Sequence, residues 1–492
     1  MNFWEKCLVL VKGRKKNKIT LKRPVYCYIL RCANQAYYVG WTMDIFRRTS
    51  QHNRGTGARY TKMNSPVELV YWETQSDKKT AQKRELVLKK LGHNKKHQLI
   101  YGNPKIMKPA FDPFQYEYYI VAPGRVNLLG EHVDYNGGPV LPAAIDRQMN
   151  ISANPRKDNI LHLKALDLTE ETWISLDQLD EKIDVNGNPL PDWALYPAGI
   201  AWIAQKRSYP ISGVDAIFTS NIPIGSGLSS SAAMEVGFAA LWRELDGWKL
   251  DNLELAILCQ QAENQYVGVN CGLMDQFASA NGVVGSALYF NTNNLDWKAV
   301  NLPPSVSIVI ADSKKRRSLS TSGYNDRRTS CEEAVAILKQ NLPSINNLRD
   351  VTIHDFSQNS YMLNPIQFKR ARHVVEECHR VDQAMESLSK NDIIQFGELM
   401  KQGHQSLKDL YEVSLPELDT LVNIANALPG CFGARLTGAG FGGCTVSLVE
   451  EKHAKNFVEQ LKDGYKKATG IEADIYICKA TQGVHVEWRK PS

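Results

Sequence analysis

"GRVNLLGEHVDYNGG", residues 124–138, brings Arg125, Glu131, His132 and Asp134 together around a short apolar centre. Gly130, Gly137 and Gly138 interrupt any helical stripe of apolar residues and allow another backbone or a ligand to approach closely. A surface helix would repeat its apolar residues at the helical period of about 3.6, and this stretch does not. The pattern therefore predicts a functional site rather than a structural helix.

The composition indicates a soluble globular chain. Its 492 residues exceed what one core holds and predict about three domains, and the apolar share of 43% and charged share of 23% are ordinary. No apolar run approaches the roughly 20 residues of a membrane helix, and the amino terminus lacks the order of a secretory signal. The ten cysteines show no CxxC spacing that would predict a zinc or redox site. We expect a cytoplasmic protein without a membrane segment.

The charge is distributed unevenly along the chain. Residues 1–108 carry 24 Lys and Arg against 6 Asp and Glu, whereas the rest carries 35 against 46. A basic block favours polyanions such as DNA, while an acidic remainder is common in soluble enzymes. The alternative for residues 1–108 is a basic surface that is exposed to solvent and binds no polyanion.

Strand and turn signals divide the chain into five segments. We predict a basic, disordered extension over residues 1–23, a small α/β domain over 24–100 and a Gly/Pro-marked linker over 101–113. A larger α/β region follows, with a first lobe over residues 114–305 and a second over 306–492. In the small domain, Asp77 is the expected N-cap of a helix that Gly92 stops.

The segment "PIGSGLSSSAA", residues 223–233, lies between a predicted strand end and a predicted helix. Backbone N–H groups at a helix N-terminus, with Gly225 and Gly227 permitting close approach, form a phosphate cradle. An ordinary turn before a capped helix is the alternative. Glu263 shares the apolar face of a later helix, where a carboxylate needs a partner, and Mg²⁺ held by a serine hydroxyl and this carboxylate would supply one.

Two further segments complete the predicted chemistry. "GLMDQFASANG" places Asp275 in a short Gly-bounded segment, either as a catalytic base or as a helix cap. "GARLTGAGFGGC", residues 433–444, is a glycine-rich turn that approaches a ligand or simply reverses the chain. Phosphoryl transfer needs a phosphate cradle, a metal ligand, a group on the attacking hydroxyl and a cation, for which Arg125 is the candidate. Glu131, His132 and Asp134, which follow Arg125, form a dense cluster of hydrogen-bond acceptors. Such a cluster suits a polyhydroxyl substrate such as a sugar.

In this order the three motifs resemble those of the galactokinases, within the GHMP kinases, over about residues 117–490. The resemblance implies a two-lobed α/β (α+β) GHMP fold, with ATP as co-substrate, Mg²⁺ as cofactor and galactose as the sugar phosphorylated at its C1 hydroxyl. It implies Asp275 as base with Arg125 as its charged partner. The resemblance also implies three binding sites. The sugar site is formed by Glu131, His132, Asp134, Gly272 and Tyr324, and the metal site by Ser230 and Glu263. The ATP site is formed by Gly225, Ser226, Gly227, Leu228, Ser229, Ser230 and Ser231.

The basic segment has its own candidate site. Tyr28 and Tyr38 fall on neighbouring strands of a predicted hairpin, and Arg48 and His52, four residues apart on a helix, project from one face. Glu85 lies beside the apolar side of a later helix. These residue types suit metal-assisted phosphodiester cleavage, and aromatic sheet packing with phosphate-contacting basic residues is the alternative.

"VYCYIL", "YYVGWT", "RRTSQH", "GARYTK" and "RELVLKKL" resemble the GIY-YIG nuclease domain over residues 24 to about 100. The resemblance implies Tyr28, Tyr38, Arg48, His52 and Glu85 as the catalytic positions, with Glu85 as the metal ligand, and leaves simple DNA binding open.

Three hypotheses cover the whole chain. The first is a galactokinase carrying an accessory GIY-YIG domain. The second is a nucleic-acid enzyme whose kinase half acts as a sugar-responsive regulator, although a sensor need not retain a transfer apparatus. The third is a join of two adjacent reading frames. The sequence leaves the oligomeric state open, a monomer included, and does not separate galactose from N-acetylgalactosamine.

Overall fold

The computed structural model describes residues 25–34, 36–43, 45–75, 77–93, 95–96, 116–223, 225–316 and 320–489. The described residues divide into two compact units, one ending at Tyr116 and one running from Glu117 to Arg489. The predicted extension 1–23 and linker 101–113 lie outside the described residues. Within the described part of the chain, no helix is long and apolar enough to cross a membrane.

The small unit is an antiparallel three-stranded sheet with helices. Strand β1 is central, in the order β2-β1-β3. Its alternate residues enter two apolar clusters, so it is buried on both faces. The third helix begins after Asp77, whose side chain accepts the Thr80 amide at 2.8 Å, which confirms the predicted cap. The elements are β1 Val25–Cys32, β2 Tyr37–Thr42, α1 Ile45–Asn53, α2 Arg59–Met63, β3 Val67–Gln75 and α3 Lys78–Lys90.

The large unit starts with a six-stranded sheet in the order β16-β4-β6-β9-β7-β8, in which only β7 and β9 pair in parallel. The final strand, β16, returns from the end of the chain to pair with β4. The first-half strands and helices are β4 Tyr118–Asn127, β5 Pro139–Val140, β6 Pro142–Pro155, β7 Ile160–Ala165, β8 Glu170–Ser175, α4 Leu195–Lys206, β9 Val214–Ser220, α5 Ser230–Asp246, α6 Asn252–Ala262, α7 Met274–Asn281, β10 Ser286–Asn291 and β11 Trp297–Asn301.

The second half adds a four-stranded antiparallel sheet in the order β13-β14-β12-β15, while β11-β10-β5 forms a third sheet. Two helices, α12 and α13, pack with the four-stranded sheet in a separate apolar cluster. The second-half elements are β12 Val306–Asp312, α8 Ser320–Leu338, α9 Ile353–Asn359, α10 Pro365–Ser389, α11 Ile393–Ser406, α12 Pro416–Ala427, β13 Cys431–Thr437, β14 Cys444–Glu450, α13 Ala454–Thr469, β15 Asp474–Cys478 and β16 His485–Arg489.

Helix α5 links the predicted phosphate loop to the core. Its sequence is rich in alanine and other good helix formers, and it packs against β4 and β6. At Gly237 a Cβ would lie 2.7 Å from Ile151 Cδ1, so glycine lets the helix approach the sheet this closely. The start of α5 is thereby held at the end of β4, where the opening stretch begins.

Candidate active site

A cavity of about 530 Å³ lies in the large unit. Its walls come from the strand exit after β4, the loop before α5, the segment between α6 and α7, the start of α8 and the glycine-rich turn. The lining residues are Arg125, Glu131, His132, Asp134, Tyr135, Tyr196, Gly225, Gly227, Ser229, Ser230, Ser231, Glu263, Val269, Cys271, Gly272, Met274, Asp275, Arg316, Tyr324, Asn325, Gly438 and Ala439.

Arg125 and Asp275 form a bidentate ion pair in this cavity. Nε of Arg125 donates to Oδ1 of Asp275 at 2.8 Å and Nη2 donates to Oδ2 at 2.7 Å. The Arg125 side chain is 5% exposed, whereas the Asp275 side chain is 30% exposed. The carboxylate therefore faces the cavity while the guanidinium holds it from behind.

The loop before α5 has the backbone expected of an anion cradle. Gly225 and Gly227 have φ of 67° and 80°, and Ser229 has φ of 60°. The Ser229 hydroxyl donates to Asp275 Oδ2 at 2.6 Å and does not cap the helix. The first N–H groups of α5 consequently have no side-chain cap from Ser229, and the loop is tied to the Asp275 carboxylate.

Asp134 and Gly272 touch across the cavity, although 138 positions separate them in the chain. A Cβ at Gly272 would lie 1.8 Å from Asp134 Oδ2, so only glycine fits here. Burial raises the pKa of Asp134 to about 6, and the nearby Asp275 charge adds to the rise. The Asp134 carboxylate lines the cavity and offers hydrogen-bond acceptors there.

Glu131 and His132 hold the glycine-rich turn. Glu131 Oε1 accepts the Gly438 amide at 3.3 Å, and its carboxylate pairs with the fully buried Arg435. The Nε2 of His132 lies 3.2 Å from the Ala439 carbonyl, and its Nδ1 lies 2.9 Å from the Tyr135 hydroxyl. Burial raises the pKa of Glu131 to about 7, against the opposing effect of the guanidinium. Both side chains thus contact protein as well as lining the cavity.

Tyr324 joins the same wall from helix α8. Its ring centroid lies 5.6 Å from that of His132 and 5.2 Å from that of Tyr135. All five residues predicted for the sugar therefore line one cavity.

Ser230 and Glu263 line the same cavity as the glycine-serine loop. Glu263 begins a π-helical segment, Glu263–Val267, directly after α6. Its Oε2 accepts the Cys271 thiol at 3.2 Å and the Gln276 amide at 2.5 Å, and burial raises its pKa to about 7. A hydroxyl and a carboxylate are hard oxygen donors of the type that Mg²⁺ prefers, so the two residues fit that ion.

Four of the five residues predicted for the small unit come together. The Tyr28 hydroxyl lies 2.9 Å from His52 Nε2, and Arg48 Nε donates to the Tyr28 oxygen at 3.4 Å. The ring centroid of Tyr38 lies 5.0 Å from that of His52. The fifth residue, Glu85, pairs with Lys89 Nζ at 2.9 Å.

His52 lies between Tyr28 and Thr61. Its Nδ1 lies 2.5 Å from the Thr61 hydroxyl, which donates to the Ala58 carbonyl at 2.9 Å, and the Ala58 amide donates to the same nitrogen at 3.5 Å. Burial lowers the pKa of His52 to about 4 and raises that of Tyr28 to about 12. At neutral pH His52 is therefore neutral, and its Nε2 is hydrogen-bonded to the un-ionised Tyr28 hydroxyl.

Comparison with known proteins gives matches to both units of the chain. Family models match over residues 111–155 (galactokinase galactose-binding signature), 196–283 and 384–467 (GHMP kinases N- and C-terminal domains) and 24–98 (GIY-YIG catalytic domain). The galactokinase of Roseiflexus sp. is 45% identical over 363 residues, which are 74% of this chain and 91% of that protein. The galactokinase of Chloroflexus aurantiacus is 43% identical, covering 74% and 92%.

The chain belongs to the galactokinase family.

Solved structures agree with this assignment. The Lactococcus lactis galactokinase complexed with galactose superposes with a TM-score of 0.71 at 34% identity, covering 75% of this chain and 94% of that one. The Methanococcus jannaschii mevalonate kinase, at 23% identity and a TM-score of 0.53, shares the fold. The predicted GHMP fold with a preceding GIY-YIG domain is confirmed.

Several lining residues of this galactokinase-family cavity were not predicted from the sequence. Tyr135 lies inside the first motif, and Cys271 directly precedes the segment that begins at Gly272, so nearness to these segments in the chain was the available signal. Tyr196 and Arg316 come from segments without a motif. Arg316 pairs with buried Asp312 and lies against Gly225. Only the folded chain brings the last two to the site.

Proposed function

We propose that this chain transfers the γ-phosphoryl group of ATP to the C1 hydroxyl of galactose, giving galactose 1-phosphate and ADP. Its relatives at 42–45% identity are galactokinases, which supports an ATP-dependent sugar kinase. The observation that carries the proposal is the Arg125–Asp275 ion pair, which shares one cavity with the glycine-serine loop and with Asp134. We also keep a cytoplasmic location as a prediction.

Asp275 acts on the attacking hydroxyl in this proposal. Its carboxylate receives two N–H groups of Arg125 and the Ser229 hydroxyl, which hold it at the cavity surface. A fixed carboxylate orients the C1 hydroxyl and accepts its proton as the bond to phosphorus forms. Arg125 keeps this carboxylate in place and contributes positive charge near the transferred group.

The nucleotide and the metal bind on the loop side. The segment Gly225–Ser231 surrounds the ATP phosphates with backbone N–H groups, and glycine at the positive-φ positions lets them approach. Ser230 and Glu263 would hold Mg²⁺, which neutralises phosphate charge when bound. The burial of Glu263 beside thiol and amide donors supports this assignment, because a buried carboxylate needs a cation.

The sugar binds on the opposite wall, formed by Glu131, His132, Asp134, Gly272 and Tyr324. The carboxylate of Asp134 and the backbone at Gly272 stand side by side and present acceptors and a donor to neighbouring hydroxyl groups. Glu131 and His132 shape this wall through the glycine-rich turn that they hold. We take galactose, rather than its N-acetylated amine, as the substrate because of the family.

Asp275→Asn in the full-length chain tests the kinase proposal. We expect turnover to fall by about 10²–10⁴ because proton acceptance is lost, with ATP binding retained. Coupled ADP-release assays with galactose, glucose and N-acetylgalactosamine in Mg²⁺ measure this. Undiminished turnover would remove Asp275 from its role, and absence of turnover in the wild type with every sugar would favour the sugar-responsive regulator.

For the small unit we propose DNA binding and phosphodiester cleavage. The specific observation is that the Tyr28 hydroxyl is hydrogen-bonded to His52 and accepts from Arg48. The Tyr28 hydroxyl would orient the attacking water, and Arg48 would stabilise the charged phosphorus centre. Glu85 would hold a divalent cation, which would lower the pKa of that water so that its proton is lost to solvent, while Tyr38 packs against His52. Its basic composition suits a polyanion.

Tyr28→Phe in the full-length chain tests this second activity. Plasmid nicking with Mg²⁺ or Mn²⁺ should be lost, because the hydroxyl is removed, whereas affinity for DNA should remain. Cleavage by the variant at the wild-type rate would contradict the assignment. DNA binding without cleavage by the wild type would reduce the unit to a binding module.

A further inference from the structure

Two buried carboxyl groups, Glu263 in the wall of the cavity and Glu235 behind it, share one amide group. The Nε2 of Gln276 lies 2.9 Å from Glu235 Oε2 and 2.5 Å from Glu263 Oε2. Glu235 and Gln276 are both fully buried, and neither lines the cavity. One amide therefore bridges a carboxyl group at the cavity surface and another in the core.

This bridge fixes the orientation of the amide. The Gln276 NH₂ group has two protons, and each points to one carboxyl oxygen. A flipped amide would place its oxygen against two acceptors, so Glu235 and Glu263 together select the observed orientation. Glu263 Oε2 is held in turn by this amide and by the Cys271 thiol.

The bridge connects the elements that carry the kinase site. Glu235 lies on α5, five positions after Ser230 on the same helix, and Gln276 follows Asp275 on α7. Glu263 lies in the π-helical segment between them. A shift of α7 would reach the Glu263 carboxylate through one hydrogen bond, and a shift of α5 would reach it through two.

The arrangement is unfavourable for stability alone. The side-chain oxygens Glu235 Oε1 and Gln276 Oε1 are buried, and neither has a hydrogen-bond partner among the residues that the structure describes. Unpaired buried polar atoms are costly, and apolar residues of similar volume are often as stable or more stable in such places. Local unfavourable choices of this kind concentrate at functional sites.

We propose that Glu235 is a positioning residue for the metal site. Through the Gln276 amide it holds the Glu263 carboxylate in the orientation that, with Ser230, receives the divalent cation. The inference rests on the proposed role of Glu263 as a metal ligand. Residues that orient metal ligands in this way typically change metal affinity by about 10–100-fold when they are replaced.

Binding of Mn²⁺ in the presence of a non-hydrolysable ATP analogue, followed by electron paramagnetic resonance, tests the proposal. Glu235→Leu removes the acceptor at similar volume, and we expect Mn²⁺ affinity to fall by about 10–100-fold. Its thermal midpoint should not fall, because an apolar side chain replaces a poorly satisfied polar one. Glu235→Gln keeps an oxygen for the amide and should restore Mn²⁺ binding.

Other variants separate the interpretations. Ser279 lies on the same helix as Gln276, and its buried hydroxyl donates to the Pro123 carbonyl. Ser279→Ala removes this hydrogen bond and should leave Mn²⁺ affinity unchanged. Gln276→Leu removes the bridge itself and should reproduce the loss, which keeps the test valid if Glu235→Leu does not fold. Glu263→Gln is the reference for the loss of a metal ligand.

Two results would overturn the proposal. If Glu263→Gln weakens Mn²⁺ binding but both Glu235→Leu and Gln276→Leu bind like the wild type, Glu235 does not position the ligand. The same conclusion follows if Glu235→Gln loses as much affinity as Glu235→Leu, because the acceptor is then not what matters. If Glu263→Gln also binds like the wild type, Glu263 is not a ligand, and the proposed metal site fails together with this inference.

Discussion

Gly272→Ala directly tests the contact between the sugar wall and Asp134. A Cβ at position 272 would lie 1.8 Å from Asp134 Oδ2 and 2.3 Å from its Cγ, whereas ordinary contacts begin at 3.4 Å. Either the carboxylate or the segment around position 272 must therefore move by about 1.6 Å, the difference between these distances. Such a shift moves an acceptor away from the position that the sugar requires.

The size of the effect follows from this displacement. A misplacement of about 1 Å costs about 10²-fold in rate, so we expect kcat/KM for galactose to fall by about 10²-fold or more. A loss of 10²-fold corresponds to about 2.7 kcal/mol of transition-state stabilisation. ATP binding should be retained, because the Gly225–Ser231 loop makes no part of this contact.

Steady-state kinetics with varied galactose at saturating ATP, together with calorimetric titration of the nucleotide, measure both quantities. Gly247→Ala is the matched control, since its Cβ would meet nothing within 4 Å at the end of α5. Its positive φ costs about 1–2 kcal/mol of stability without changing galactose kinetics. Wild-type kcat/KM in folded Gly272→Ala would refute the assignment of Asp134 and Gly272 to the sugar site.

Gly40→Ala in the small unit places a Cβ 2.5 Å from Tyr28 Oη and should abolish plasmid nicking. In the control, Gly92→Ala, the added Cβ has no atom of the described residues within 4 Å, and nicking should be preserved. Equal nicking by the two variants would contradict the assignment of Tyr28 to a nuclease site. Full-length protein should bind duplex DNA in fluorescence anisotropy with an affinity that falls about tenfold or more between 50 and 200 mM salt, and salt-independent binding would contradict a phosphate-driven contact. Burial lowers the pKa of His373 from 6.5 to about 4. Between these two pH values the imidazole is protonated in the unfolded chain but not in the folded one, so the free energy of unfolding should decrease as the pH falls from 6.5 to about 4. Urea midpoints of His373→Gln should fall less steeply than those of the wild type over this range, and parallel slopes would exclude His373 as a source.

Local rules made much of both sites predictable. The glycine-serine loop before α5 needs residues that adopt positive φ, and it contains two glycines where the backbone does so. The cap at Asp77 uses only the next three residues, which is why it was found without tertiary information. Tyr28 could be assigned to a strand face because side chains alternate along a strand.

Other features depended on contacts between distant parts of the chain. The sequence indicated that Glu131 and His132 belong to a site, but nothing local indicated that they would hold Gly438 and Ala439. The bridge from Glu235 to Glu263 through Gln276 was equally hidden, because the three residues lie on separate elements. The apolar helix face around Glu263 indicated that this carboxylate needs a partner, but nothing local indicated Gln276 or Glu235.

Three features could be identified from the amino-acid sequence without a structure: the residue types in each motif, the positions of the backbone turns, and the basic part of the chain. Tertiary structure alone decided which groups face one another, such as Arg125 with Asp275 at a separation of 150 positions and Gly272 against Asp134. The physical reason is range. Backbone preferences and caps act over a few residues, whereas pairing, burial and the resulting pKa changes depend on the packing of helices against sheets, which brings distant residues within a few ångströms.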